Sequence, residues 1–497
     1  MIKINIVNPG NKFIIESDTD HSLLDILRKN GSAIYAPCGG KGTCGKCRVK
    51  VKGLGEVISC RYFPKNDVDI ILPGIEEANI LVAQTEYLED LPFNIGKTHF
   101  MTSYPCGVAI DIGTTTVVLY FLNLLTGQIE KISSFLNPQK QYGADVISRI
   151  NYCQENESGL NDMQKSIIDF VNYELNRFLI EKSLGSTNIE RIVFVGNTTM
   201  LHILLGEDPV SIALAPFTPQ FTDKQERQGS LTGLNVNSNA QIVTLPCISA
   251  YVGADILAGL TALKVRNRNY LFLDIGTNGE IALVKDKKIY TCATAAGPAF
   301  EGANISCGMG AISGAISVYN DPDDYTVIGN TRPAGICGSG IVDIVAYMLD
   351  NELIDETGLL KETFSIFSEN GVQVIQQDIR EIQLAKSAIY SGIKILMNNA
   401  GLSFEDTDAL YLGGGFGNYI SIQSAVKIGL LPHELSGKIY PVGNSAGIGA
   451  LQYLKSDKFK SKSEAVLKNI SYIELSYIEE FTMEFAMNMD FSPPASI

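Results

Sequence analysis

Four cysteines near the start of the chain raise the first chemical question. Cys38, Cys44 and Cys47 stand five and two residues apart in Ala36-Pro37-Cys38-Gly39-Gly40-Lys41-Gly42-Thr43-Cys44-Gly45-Lys46-Cys47, and Cys60 follows after twelve more. A disulfide framework is unexpected in a cytosolic chain, where thiols stay reduced, so clustered cysteines point to a metal site. Gly39, Gly40, Gly42 and Gly45 allow a loop to wrap a cluster without Cβ clashes and to aim backbone N–H groups at its sulfurs. An iron–sulfur cluster needs that arrangement. Zinc also takes four thiolates, but zinc ribbons usually pair two Cys-x-x-Cys knuckles, and one occurs here.

A second chemistry is written twice. The buried-strand pattern Gly107-Val108-Ala109-Ile110-Asp111-Ile112 runs into Gly113-Thr114-Thr115-Thr116. Far downstream, Tyr270-Leu271-Phe272-Leu273-Asp274-Ile275 runs into Gly276-Thr277-Asn278-Gly279-Glu280. One such unit could be an ordinary turn, but a repeat implies two similar lobes. The turn after each strand offers N–H groups and hydroxyls to phosphate oxygens, and the aspartate at each strand end can hold Mg²⁺ through water. Facing each other, the two turns would clamp a triphosphate. Asp255 and Glu280 are the candidates for positioning an attacking water.

Three glycine-rich segments accompany the repeat. Gly413-Gly414-Gly415-Phe416-Gly417 leaves a hydrophobic strand where bare backbone could approach an adenosine. Pro441-Val442-Gly443-Asn444-Ser445-Ala446-Gly447 has the small residues of close helix packing, and Gly196-Asn197-Thr198-Thr199-Met200 reads as its counterpart in the first lobe.

The elements that must hold these groups follow from periodicity. Residues 3–6 and 12–15 read as strands around Pro9-Gly10-Asn11, with a helix over 22–30 capped from Asp18–Asp20 and closed by Gly31. Strands at 48–52 and 68–72 complete a β-grasp pattern over residues 1–76. Residues 77–103 lack periodicity and read as a linker on which the cluster domain could swing. The first lobe is expected over 104–245 and the second over 246–491. His202, Cys106, Cys247 and Cys292 lie in apolar runs and read as core, Gly338-Ser339-Gly340 as a helix start, and the tail from Ser471 as a strand and closing helix.

A length of 497 residues exceeds one compact core. The net charge of −15 argues against nucleic acid and anionic membrane surfaces. No apolar run approaches the roughly 18 residues that would span a bilayer. The opening Met1-Ile2-Lys3-Ile4 lacks the pattern of a secretory signal, so the expected address is the cytoplasm.

The cysteine segment resembles the plant- and vertebrate-type [2Fe–2S] ferredoxins, in which a wide gap also precedes Cys-x-x-Cys. Cys60 departs from them, since their fourth cysteine lies much further on. Residues 104–490 resemble the superfamily of acetate and sugar kinases, heat-shock chaperones and actin. That resemblance makes Asp111 and Thr114–Thr116 the first phosphate loop and Asp274–Asn278 the second. It puts Gly413–Gly417 at the nucleoside, and Asn197 and Asn444 at the interlobe hinge helices.

The implied fold is an α+β β-grasp ferredoxin domain followed by a two-lobed α/β ribonuclease-H-like ATPase. Over its full length the chain resembles the reductive activators of corrinoid proteins, the activating enzymes of methyltransferase and O-demethylase systems. The resemblance implies ATP with Mg²⁺, a [2Fe–2S] cluster on Cys38, Cys44, Cys47 and Cys60, and one-electron return of inactive Co(II) to Co(I). It also implies a corrinoid protein and an electron-donor protein as partners, and it allows a homodimer. ATP would offset an uphill transfer, each 100 mV of which costs about 2.3 kcal/mol. The alternatives are a ferredoxin-regulated small-molecule kinase and a chaperone-like ATPase that binds a metalloprotein.

Overall fold

The computed structural model describes residues 2–8, 11–30, 34, 36, 40–42, 47–72, 86–96, 100–265, 268–367 and 371–491. In β1 (Ile2–Asn8), Ile2, Ile4 and Ile6 alternate with polar residues and turn one face inward. β1 pairs antiparallel with β2 (Asn11–Ser17). Ser22, rather than Asp18–Asp20, caps α1 (Leu23–Lys29), its hydroxyl accepting from the Asp25 N–H at 3.2 Å. β3 (Arg48–Val51), β4 (Gly55–Ile58) and β5 (Val68–Ile71) complete a sheet of order β2-β1-β5-β3-β4 in which β1 and β5 run parallel. Leu23, Leu24, Ile26 and Leu27 of α1 pack over Ile4, Ile6, Val49 and Ile70, which is the β-grasp arrangement. The expected turn at Pro9 and Gly10 and the helix stop at Gly31 lie outside the described residues, as do Cys38 and Cys44.

The first lobe contains β6 (Cys106–Ile112), β7 (Thr116–Asn123), β8 (Ile129–Leu136), α2 (Val146–Glu155), α3 (Gly159–Lys182) and β9 (Ile189–Gly196). It continues through α4 (Thr198–Leu205), α5 (Val210–Ala213), β10 (Gln225–Gln228) and β11 (Gln241–Thr244), and past the expected boundary at 245 into α6 (Ala254–Ala262), which follows β11 and packs on β9. Its sheet order is β10-β11-β9-β6-β7-β8, with β6, β9 and β11 parallel and β7 and β8 added as antiparallel hairpins.

The second sheet begins with β12 (Asn269–Ile275), β13 (Gly279–Lys285) and β14 (Lys288–Thr294). An inserted layer follows: β15 (Ala315–Asp321), β16 (Asp324–Val327), β17 (Gly335–Ile336), α7 (Gly338–Asp350), β18 (Phe364–Phe367) and β19 (Val372–Val374). Then come α8 (Gln376–Ala400), β20 (Ala409–Gly413), α9 (Gly414–Tyr419), α10 (Ile422–Lys427), β21 (Ile439–Gly443) and α11 (Ser445–Lys455). α12 (Asp457–Leu467), β22 (Ile470–Tyr472) and α13 (Glu479–Met487) close the chain. The order β21-β20-β12-β13-β14-β22 repeats the first lobe's pattern of hairpins on one side and parallel strands on the other. The repeated Asp-Ile-Gly-Thr motif is thus the local trace of a duplicated ribonuclease-H-like sheet.

The lobes meet at two helices. α11 packs on α6 and also against β6 and β9 of the first lobe. Small residues permit this: a Cβ on Gly449 would come within 2.3 Å of the Ala258 carbonyl oxygen, and one on Gly259 within 2.9 Å of Ser445 Oγ.

Within the expected linker, residues 86–96 are fastened to this junction. Leu88 bridges Leu263 beyond α6, and Asn94 bridges Ser456 between α11 and α12. The Leu91 N–H donates to Gln452 Oε1 at 3.0 Å, and Leu88 and Leu91 are buried. A free tether over the whole of 77–103 is therefore not what forms. Its contacts are isolated pairings with distant residues, which leave no periodicity in the sequence. No helix among the described residues is long and apolar enough to cross a membrane.

Candidate functional site

Each phosphate-loop candidate is the tight connection of a hairpin. In the first lobe Asp111 pairs across to Val118, and the turn closes with the Gly113 N–H donating to the Thr116 carbonyl at 2.9 Å. In the second lobe Asp274 pairs with Glu280, and the Gly276 N–H donates to the Asn278 carbonyl at 3.0 Å. Supporting side chains hold the first turn. Asn137 Nδ2 donates to the Gly113 carbonyl at 2.8 Å, and Asn197 Nδ2 to Thr114 Oγ1 at 3.0 Å. Arg149, fully buried on α2, donates to the Thr114 carbonyl at 2.5 Å and to the Gly143 carbonyl at 3.1 Å.

Between the hairpins stands a residue the sequence reading passed over. Thr115 Oγ1 donates to one oxygen of Glu301 at 2.6 Å, and Thr277 Oγ1 to the other at 2.6 Å. One carboxylate thus bridges the two hairpin turns across the lobes. Glu301 ends the turn Pro298–Glu301, flanked by Gly297 and Gly302 at φ 74° and 77°. The segment Gly297-Pro298-Ala299-Phe300-Glu301-Gly302 was the available signal, but nothing in its spacing links it to either repeat. Arg149 gave still less, because an arginine on an amphipathic helix reads as a solvated residue.

The four predicted carboxylates are electrostatically joined. Burial, then repulsion from Asp255 and Asp274, pushes Asp111 up to about 8, while Asn444 acts against the shift by hydrogen bonding. Burial and then Asp255 raise Asp274 to about 7, and burial raises Asp255 to about 6. Glu280 is driven well up by burial and then by Asp255 and Asp274. Like charges set directly opposite on neighbouring strands, as Asp274 and Glu280 are, destabilise a sheet. A hydrated cation would relieve that repulsion, so the donor set suits Mg²⁺ held through water. No group of three or more His, Cys, Asp or Glu among the described residues is gathered to hold a metal, and Mg²⁺ needs only one or two carboxylates beside the phosphate oxygens and waters.

The glycine segment at 413–417 turns from β20 into α9. Gly414 has φ 75°, and a Cβ there would meet Asp274 Oδ1 at 2.3 Å, so the turn lies against the aspartate that ends β12. A Cβ on Gly415 would meet nothing within 4 Å, which leaves that backbone open to a ligand. Phe416 stacks on Phe300 with ring centroids 5.1 Å apart.

The hinge assignment needs one correction. Asn444 caps α11, accepting from the Gly447 N–H at 2.8 Å, as a hinge residue should. Asn197 caps α4, which follows β9 and so corresponds to the turn after β20. The first-lobe partner of α11 is α6, which follows β11 and carries Asp255. Gly-Asn resembles Gly-Asn in both lobes, but strand order, visible only in the fold, decides which turns correspond.

Half of the cysteine set falls on described residues. Cys47 is buried and Cys60 half-buried, and the Ser59 N–H donates to the Cys47 carbonyl at 2.8 Å, which brings the two segments together. Gly40 and Gly42 have φ 96° and 76°, the wrapped loop backbone that glycine permits. These features fit a cluster held in part by Cys47 and Cys60. His202, Cys106, Cys247 and Cys292 are buried core, with His202 stacked on Phe221 at 4.1 Å.

A β-grasp cysteine domain joined to a duplicated sheet with facing hairpin loops defines an iron–sulfur protein on the ATPase fold of sugar kinases, heat-shock chaperones and actin. Residues 7–65 match the "2Fe-2S iron-sulfur cluster binding domain", 106–268 the "RACo middle region", and 268–495 the "C-terminal domain of RACo the ASKHA domain". The chain belongs to the family of reductive activators of corrinoid proteins. It is 30% identical to the corrinoid activation enzyme RamQ of Eubacterium limosum, over 96% of this chain and 98% of that one. It is 25% identical to the [Co(II) methylated amine-specific corrinoid protein] reductase of Methanosarcina barkeri, over 68% of each. A solved structure, a reductive activator for corrinoid, iron–sulfur protein, superposes with a TM-score of 0.70 at 26% identity, covering 99% of this chain and 98% of the other.

Proposed function

We propose that the chain is an ATP-dependent reductive activase, which uses one electron from its [2Fe–2S] cluster to return the Co(II) corrinoid of a methyltransferase corrinoid protein to Co(I). The observation that carries the ATP-dependent part is the pair of hairpin loops joined across the lobes through Glu301. In this reading Gly113–Thr116 and Gly276–Asn278 grip phosphates from opposite sides. Asp111 and Asp274 hold Mg²⁺ through water, with Asp255 and Glu280 beside them, and Gly413–Gly417 receives the nucleoside. Movement of the lobes about α6 and α11 carries the nucleotide state outward. Cys47 and Cys60, with Cys38 and Cys44, hold the cluster. An electron-donor protein reloads it, and the names of the relatives support a corrinoid protein as the recipient.

The test measures Mg-ATP hydrolysis by the full chain with and without a Co(II)-corrinoid protein. Stimulation by that partner, lost in Asp111→Asn and Asp274→Asn, supports the reading. Turnover indifferent to the partner but dependent on an added alcohol or carboxylate would favour a kinase instead.

A further inference from the structure

Glu301 does more in this structure than line the cleft. Its two carboxylate oxygens accept the Thr115 and Thr277 hydroxyls at 2.6 Å each, one from either lobe. A threonine hydroxyl has a single hydrogen to give. While both are committed to Glu301, neither can serve a phosphate oxygen. A carboxylate accepting from two donors offers what a phosphate would offer them, negative charge and acceptor oxygens. We propose that Glu301 is an internal occupant of the phosphate site, an interlobe latch that a nucleoside polyphosphate must displace in order to bind.

The backbone around Glu301 is built to hold it there. Gly297 and Gly302 take left-handed φ on either side of the turn Pro298–Glu301, and a Cβ on Gly302 would come within 2.2 Å of the Met309 carbonyl oxygen. Thr277 is itself buried, so its hydroxyl gains a charge-assisted bond away from bulk water. The same turn reaches the nucleoside side of the cleft. Phe300, next to Glu301, stacks on Phe416, and its carbonyl oxygen lies where a Cβ on Gly338 would sit. Displacing the carboxylate therefore acts on the turn that also borders Gly413–Gly417. Arrival of phosphate is in this way tied to the nucleoside segment and to the contact between the lobes.

The inference rests on the cleft being a nucleotide site, and its test separates the two claims. Titration calorimetry on the full chain would compare wild type, Glu301→Gln and Glu301→Asp, with Mg-ATP, Mg-ADP and AMP as probes. Glu301→Gln keeps the shape but removes the charge and one acceptor, so Mg-ATP should bind about tenfold or more tightly once that competition is relieved. Mg-ADP should tighten as well, whereas AMP, which lacks the outer phosphates, should be unaffected. Glu301→Asp, too short to span both hydroxyls, should fall between, and it tests the idea independently should the glutamine variant not fold. Unchanged or weaker Mg-ATP binding in a folded Glu301 variant, with wild type still binding nucleotide, overturns the latch alone. Failure of every folded protein to bind any nucleotide overturns both the latch and the nucleotide reading.

Discussion

Replacing Gly449 with alanine probes the joint between the lobes. The added methyl would stand 2.3 Å from the Ala258 carbonyl oxygen, 2.6 Å from its carbon and 2.8 Å from the Ala258 Cβ, where ordinary contact begins at 3.4 Å. The obstacle is helix backbone, which cannot rotate away as a side chain can, so α6 and α11 must part by roughly 1 Å in a close-packed interior. Overpacking of this kind costs about 1–3 kcal/mol, against about 1 kcal/mol returned by replacing a mid-helix glycine. The 2.3 Å approach to backbone sits at the upper end of that range, so a net loss of about 2 kcal/mol is expected, which lowers Tm by about 4–8 °C for units of this size. Differential scanning calorimetry reads the first effect, and Mg-ATP turnover, which should fall as the lobes lose their register, reads the second. Gly415→Ala is the control for stability, since a Cβ there would meet nothing within 4 Å. A Gly449→Ala protein that melts at or above the wild-type temperature and turns over ATP normally would refute the close-packed hinge.

Three further outcomes follow from particular residues. Arg149→Met leaves the Thr114 and Gly143 carbonyls without their buried donor; it should cost about 3 kcal/mol by denaturant unfolding and raise the KM for ATP. Arg28 of α1 donates to the Gln141 carbonyl and lies over the Tyr142 ring at 5.3 Å from its centroid, so it docks the ferredoxin domain beside α2. Arg28→Ala should loosen that docking by about 1–2 kcal/mol, seen as faster hydrogen exchange over residues 146–155 with the cluster's absorption unchanged. In metal-free protein, Asp111 at about 8 in the fold, against 3.8 ordinarily, keeps a proton that the unfolded chain has shed. Stability should therefore fall as pH rises through that window. Asp111→Asn should flatten the slope of Tm against pH, and an unchanged slope would remove Asp111 from the account.

What could be read in advance was what lies close together in the chain. Asp111 with Gly113–Thr116, and Asp274 with Gly276–Asn278, are hairpin ends whose chemistry is complete within a few residues, so their repetition announced the duplicated sheet. The β-grasp strands were legible for the same reason, through the alternation at Ile2, Ile4 and Ile6. Glu301 was not, because its meaning lies in two hydroxyls from different lobes, 186 and 24 residues away. The strap at 86–96 was misread because Leu88 and Leu91 pair with residues at the ends of α6 and α11, some 175 and 361 positions further along the chain. Asn197 was set beside Asn444 on local likeness, and strand order moved the pairing to α6.

The measurement closest to the central claim follows a Co(II)-corrinoid protein by visible absorption, mixed with reduced activator, with and without Mg-ATP. Cys47→Ala, which removes a buried cysteine of the proposed cluster site, runs beside it. The account predicts the Co(I) band with Mg-ATP and wild-type activator, and no band when either the nucleotide or Cys47 is missing. A Co(I) band of equal size without ATP, or with the Cys47→Ala protein, would contradict it.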